Sequence, residues 1–315
     1  MEMPKIINDV TVIEGFMLNG VKERIVENSE HVPIINDCSI KDFNQRCIVE
    51  EKPLILRGEM QNWNAQNWTL DFFIKSYGGL ELYSNLYDPN KISLLKLKDI
   101  LHNIKHASAD KPEYLQEWWF QEKAPELLQD IVIPKHFSND LNKELFGYFN
   151  STLWIGSKGA NTHIHQDSVH VNVWSAQIKG KKQWILYDKH AQLFEKNGKP
   201  DFDQFLANPS NNIMHCNIEA GDILFVPYKW WHRAETLEES ISLNTFYITE
   251  IIKQKYLKDL FSLPMSLALN QELMSEYDIK RYNITLSRIK TIAKLMGFNP
   301  DNVLNLPQKQ NNIAA

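Results

Sequence analysis

The sequence predicts a mainly β fold with flanking α elements, built on a barrel or double-sheet jelly roll. Three observations predict it. Residues 151–250 hold a succession of short apolar or alternating segments separated by turn residues. Residues 251–298 change to a helical period. The 315-residue chain is 43% hydrophobic and 23% charged, which is enough apolar material for one large core or two average domains and argues against disorder. We read residues 1–250 as one domain that includes its N-terminal elements, and residues 251–315 as a C-terminal helical extension.

Taken in order, Lys52-Pro53-Leu54-Ile55-Leu56-Arg57-Gly58 reads as a buried strand closed by a glycine. Thr69 is an N-cap for a helix over Leu70–Tyr77, because its hydroxyl oxygen accepts an orphan N–H of the first turn; Gly78-Gly79 stop it. Leu80–Leu86 reads as a strand, and Ser93–Ile104 as an amphipathic helix with Leu94, Leu97 and Leu101 on one face. Leu153–Gly156 is a short strand. His170–Ile178 and Gln183–Tyr187 flank Lys179-Gly180-Lys181, which reads as a hairpin turn. Asp222–Val226 and Ser240–Thr249 are two more strands. Beyond them Ile279, Tyr282, Leu286, Ile289, Ala293 and Met296 recur at helical spacing until Gly297 and Pro300, giving two or three amphipathic helices outside the barrel.

Charge and cysteine usage exclude several classes. The net charge is −5 with no polybasic run, so a broad nucleic-acid footprint is not expected. No apolar run approaches the roughly 18 residues of a membrane span. The start, MEMPKIINDVTVIEG, has neither a basic n-region nor a continuous apolar h-region. Cys38, Cys47 and Cys216 are widely spaced and odd in number, which argues against a disulfide framework or a paired-cysteine zinc site. A cytoplasmic setting is expected.

The chemistry concentrates in Asn161-Thr162-His163-Ile164-His165-Gln166-Asp167. In an extended segment His165 and Asp167 point to the same face, so an imidazole and a carboxylate converge on one ion. His232, at the end of Gly221-Asp222-Ile223-Leu224-Phe225-Val226-Pro227-Tyr228-Lys229-Trp230-Trp231-His232, supplies a third ligand. Two histidines and a carboxylate leave positions open on the metal, the donor set of non-haem Fe(II) oxygenases; a structural zinc site uses four protein ligands. His163 offers an alternative HxH pair with His165. Sites of that kind add a glutamate a few residues later, and none lies between Asp167 and Lys181.

The ordered set is more specific than any member: T-x-x-H-x-D, a lysine after the next turn, GD-x-LFVP-x-x-WWH, then S-x-S-x-N. With Lys52–Gly58, Trp63, Trp68-Thr69 and Tyr114-Leu115-Gln116, it resembles, over residues 30–250, the cupin-like JmjC family of 2-oxoglutarate-dependent oxygenases. The resemblance implies a double-stranded β-helix with Fe(II) at one mouth, held by His165, Asp167 and His232, and 2-oxoglutarate and O₂ as co-substrates. It makes Lys182 the partner of the distal carboxylate of 2-oxoglutarate. Burying a dicarboxylate demands such a charge. Lys181 competes for this role, since strand alternation turns only one of the two inward. Thr162 and Tyr114 match hydroxyl donors to the same carboxylate, Asn244 an asparagine beside the metal, and Asn172 its partner on the opposite strand. Trp118, Trp119, Trp174, Trp184, Trp230 and Trp231 are read mostly as packing, with one or two left to line a substrate groove.

The resemblance implies hydroxylation of a protein or peptide side chain. The alternatives are removal of an N-methyl group, hydroxylation of a nucleoside or other small molecule on the same centre, and a non-catalytic ligand-binding cupin; the intact ligand set with Lys182 argues against the last. Related hydroxylases dimerise through C-terminal helices, so a homodimer through residues 251–298 is expected.

Overall fold

The computed structural model describes residues 29–88, 90–139, 141–142, 151–167, 170–191, 194–196, 199–201, 212–256 and 258–259. The first elements are two short strands, β1 (Glu30–His31) and β2 (Ile34–Asn36), and a single helical turn, α1 (Ile40–Phe43), capped by Ser39. β3 (Leu54–Arg57) is buried as its sequence predicts. In α2 (Leu70–Tyr77) the Thr69 hydroxyl accepts the Phe72 N–H, the expected cap. β4 (Glu81–Ser84) pairs with β5 (Ser93–Lys96), and α3 (Leu97–His106) buries Leu97, Ile100, Leu101 and Ile104. The helix predicted from Ser93 therefore starts four residues late. Ser93–Lys96 are held in a ladder against Glu81–Ser84, which points Leu94 into solvent at 51% exposure.

The remaining strands are β6 (Tyr114–Trp118), β7 (Ser151–Gly156), β8 (Asn172–Lys179), β9 (Lys181–Tyr187), the β10 (Phe194–Lys196) and β11 (Lys199–Asp201) pair, β12 (Ile213–Glu219), β13 (Asp222–Val226), β14 (Trp231–Thr236) and β15 (Ser240–Tyr247). They form a seven-stranded sheet, β2-β3-β13-β8-β15-β7-β6, and a four-stranded sheet, β1-β12-β9-β14. Residues Asn161 and His165 add a broken strand on the free edge of β14, through antiparallel bridges to Glu235 and His232. Followed along the chain, β7, 161–165, β8, β9, β12, β13, β14 and β15 wind between the two sheets. The inner order is β7-β15-β8-β13 in one and 161–165-β14-β9-β12 in the other, all antiparallel. This is a double-stranded β-helix, a jelly-roll core.

One turn differs from its sequence reading. Lys179-Gly180-Lys181 is not a hairpin: β8 pairs with β13 and β15, while β9 pairs with β12 and β14. The chain changes sheets at Gly180, which has φ 74°, and a Cβ there would stand 2.1 Å from the Glu239 carbonyl oxygen. A left-handed corner pressed against a neighbouring loop requires glycine for the same reason a tight hairpin does.

Strand alternation divides the core. Trp184 and Leu186 of β9, Met214, Cys216 and Ile218 of β12, and Leu224 and Val226 of β13 pack in one cluster between the sheets. The opposite face of the large sheet, with Trp174, Ala176, Ile223, Phe225 and Leu243, packs against α2 and α3. Residues 250–256 are helical, and Ile252 and Tyr256 pack on Val171 and Val173. The further helices predicted to residue 298, and the dimer contact assigned to them, lie outside the described residues. Among the described residues no helix is long and apolar enough to cross a membrane.

Candidate metal centre and co-substrate pocket

The segment Asn161–Asp167 is less regular than the strand its spacing implies. Four steps from Asn161 to His165 face three from Glu235 to His232, so the segment carries a bulge. His165 and His232 are the bridged pair: the His165 N–H donates to the His232 carbonyl (3.1 Å) and the His232 N–H to the His165 carbonyl (2.8 Å). The rings stand 4.2 Å apart between centroids. One ligand atom from each of His165, Asp167 and His232 lies within 4.8 Å of the others. Among the described residues they are the one such trio of histidine, cysteine or acidic side chains. His163, the alternative, is not part of it.

Both imidazoles are set in the tautomer that leaves Nε2 open to a metal. His165 Nδ1–H donates to the His163 carbonyl (2.7 Å), and His232 Nδ1–H donates to the Trp230 carbonyl (3.0 Å). A carbonyl only accepts, so Nδ1 carries the hydrogen and Nε2 keeps its lone pair. Burial, reinforced by the neighbouring His232, pushes the His165 imidazolium down to about 4, so this ring is neutral near pH 7.

Deeper in the same interior, alternation along β9 turns Lys182 inward at 2% exposure and leaves Lys181 half-buried. Lys182 Nζ donates to the Tyr114 hydroxyl (3.0 Å) and to the Ser242 hydroxyl (2.7 Å). No carboxylate stands beside it among the described residues, and burial alone pulls its ammonium down to about 7. Tyr114 accepts from Lys182, so its own O–H remains to donate. Thr162 accepts the Ala234 N–H at Oγ1 (3.0 Å) and likewise keeps its hydroxyl proton for another acceptor. A buried ammonium surrounded by neutral hydroxyls is the environment an anionic group would complete.

The two asparagines separate. Asn244 does not meet Asn172. It lies opposite Ser175 on β8, whose hydroxyl donates to Asn244 Oδ1 (2.7 Å). Asn172 lies opposite Tyr247, donates to the Tyr247 carbonyl (3.0 Å) and accepts the Tyr228 N–H (3.0 Å), so it braces the β13–β14 loop. Of the tryptophans, Trp118, Trp174, Trp184 and Trp230 are buried, and Trp119 and Trp231 half-buried. Sequence reasoning missed Ser242 and Ser175. Ser242 carried a signal: it shares the period of two with Asn244 in S-x-S-x-N.

This arrangement offers two imidazole nitrogens and a carboxylate to a metal at one level, and a buried cation with hydroxyl donors at the next. A profile of the cupin-like domain family matches residues 40–252, which includes every one of these residues. The chain belongs to the cupin-like family.

The chain is also similar to relatives named for an activity. The chain is 26% identical over 261 residues to the arginine-specific demethylase JMJ22 of Arabidopsis thaliana (74% of this chain, 51% of the relative). It is 28% identical over 232 residues to the 2-oxoglutarate and iron-dependent oxygenase JMJD4 of Gallus gallus (64% and 54%). It is 23% identical over 253 residues to the tRNA wybutosine-synthesizing protein 5 of Gallus gallus (69% and 76%). The chain thus spans about half the length of JMJ22 and JMJD4.

Proposed function

We propose that this cupin-like protein is an Fe(II)- and 2-oxoglutarate-dependent hydroxylase acting on a side chain of a protein or peptide. The observation that carries the reading is Lys182: an ammonium buried among hydroxyls, inside the same barrel as a two-histidine, one-carboxylate cluster. Those three ligands alone would also suit a catalytic zinc. The second, cationic site favours iron, because a metal with open positions beside a buried lysine fits a keto-dicarboxylate held at both ends. Relatives named as 2-oxoglutarate and iron-dependent oxygenase and as lysyl-hydroxylase support it.

His165, Asp167 and His232 would hold the metal through two Nε2 atoms and a carboxylate oxygen. When bound, the Fe(II) supplies O₂ activation coupled to oxidative decarboxylation, so that 2-oxoglutarate, O₂ and a C–H bond become succinate, CO₂ and a C–OH. The chain's own residues bind and orient. Lys182 neutralises the distal carboxylate, Tyr114 and Thr162 donate to it, and Ser242 keeps the ammonium in place. Asn244 presents its amide from β15, with its carbonyl end fixed by Ser175.

A second reading has support of its own, since relatives are named as arginine- and lysine-specific demethylases. Hydroxylation leaves oxygen on a stable carbon, whereas N-demethylation releases formaldehyde. The protein loaded with Fe(II) and 2-oxoglutarate, given a proteome peptide digest and a parallel set of methylated peptides, should produce peptides heavier by one oxygen atom. Formaldehyde from methylated peptides, with no oxygenated product from unmethylated ones, would establish the demethylase instead; oxygen gain only on tRNA nucleosides would move the substrate class.

A cytoplasmic location is part of the same proposal, supported by three cysteines that are buried free thiols. So are the division into residues 1–250 and a 251–315 extension, and a homodimer through residues 251–298, supported by the helical spacing of the apolar residues in their sequence. Light scattering at micromolar concentration should give twice the chain mass.

A further inference from the structure

We propose that Lys229 is the positioning residue that holds Asp167 against the two histidines. This rests on the reading of His165, Asp167 and His232 as a metal centre. The two histidines are fixed by the ladder they share, but Asp167 lies beyond it: His165 is the last residue of its segment bridged to β14. Among the described residues no hydrogen bond reaches the Asp167 carboxylate. Its backbone is gripped from a single residue instead. Lys229 Nζ donates to the Asp167 carbonyl (3.2 Å), and Gln166 Nε2 donates to the Lys229 carbonyl (2.6 Å).

Lys229 does this from a conformation that lysine rarely adopts. Its φ is 61°, in the left-handed region, where a Cβ meets its own backbone. The surroundings enforce it. On one side the Tyr228 N–H donates to Asn172 Oδ1; on the other Trp230 Nε1–H donates to the Glu51 carbonyl (3.0 Å). The Trp230 carbonyl accepts the His232 Nδ1–H. One four-residue loop therefore holds the tautomer of His232 at its end and the backbone of Asp167 from its middle. The half-buried side chain of Lys229 faces the ligand segment, whereas Lys189 and Lys255 lie over the Tyr228 ring.

The test is Mn(II) affinity of the full chain, read from the electron paramagnetic resonance signal of the free ion, with Co(II) absorption as the record of ligand number. Lys229→Met and Gln166→Leu should each weaken Mn(II) binding about tenfold, as removal of an outer-shell partner does, and Lys229→Arg should recover most of the loss. The Co(II) spectrum of Lys229→Met should move toward that of Asp167→Ala. In the Asp167→Ala background Lys229→Met should have no further effect, because the group it positions is gone. Lys229→Met binding within twofold of the parent, or an equal tenfold loss on top of Asp167→Ala, overturns the inference. Should Lys229→Met fail to fold by circular dichroism, Gln166→Leu decides by the same criteria. A failure of the metal centre itself looks different: parent binding indifferent to both Asp167→Ala and His232→Ala.

Discussion

Lys182 makes the site testable one residue at a time. Its ammonium is pulled down to about 7 by burial, against 10.5 for an ordinary lysine. Between those values the unfolded chain binds a proton that the folded, ligand-free chain does not. Stability of the ligand-free protein should therefore rise with pH from about 7 to about 10. A carboxylate arriving beside Lys182 restores the proton. Binding of 2-oxoglutarate at pH 8.5 should take up close to one proton, seen as a binding enthalpy that changes with the ionisation enthalpy of the buffer. An enthalpy independent of buffer would remove Lys182 from the pocket. Lys182→Met should abolish the uptake and raise the 2-oxoglutarate concentration needed by roughly 10- to 100-fold, for a charge-assisted contact of about 1.5–3 kcal/mol. Lys181→Met should do far less. At this scale the sequence told much. The period of two pointed to His165 with Asp167, and the G-x-K spacing of the family resemblance pointed to Lys182 over Lys181. It misplaced Asn172 because partners some 70 residues apart depend on the register of β8 against β15, which sets Asn244 opposite Ser175 and Asn172 opposite Tyr247. No local pattern records that register.

Among the elements, the corner at Gly180 shows where local reading stops. Lys179-Gly180-Lys181 has the same composition whether the next strand folds back on β8 or crosses to the other sheet. The choice lies with the partners, and β9 finds them in β12 and β14. Gly180→Ala should be the costlier of two comparable substitutions. At Gly180 the added Cβ meets the Glu239 carbonyl oxygen at 2.1 Å, whereas at Gly221, with φ 100°, it meets nothing within 4 Å. Gly221→Ala should cost the backbone strain alone, about 1–3 kcal/mol, and Gly180→Ala measurably more by urea unfolding. Equal losses would mean that the corner relaxes. The helix after Thr69 was legible to the residue because its cap and stop are local. The start of α3 was not, because the β4 ladder that claims Ser93–Lys96 is a tertiary partner.

The whole molecule joins its site from parts distant in sequence. The proposed metal ligands come from the bulged segment 161–167 and from β14, and the proposed co-substrate residues from that same segment, β6, β9 and β15. Ligands that bind only the folded chain should therefore stabilise it as a unit. Mn(II) with 2-oxoglutarate at 100 times their dissociation constants adds about 2.7 kcal/mol per site, which should raise the melting temperature by several degrees. A chelator should reverse the rise, and Asp167→Ala should lose the metal-dependent part. A shift equal in Asp167→Ala and the parent would place metal binding elsewhere.

The most direct test of the central claim is conversion of 2-oxoglutarate to succinate in air by the Fe(II)-loaded protein, with a proteome peptide digest as the source of substrate. We expect one succinate for each 2-oxoglutarate consumed, arrest when the metal is removed, and no turnover by the His165→Ala/His232→Ala double variant. Succinate formation equal in that variant and the parent, or none from the parent while it binds iron, would contradict the account.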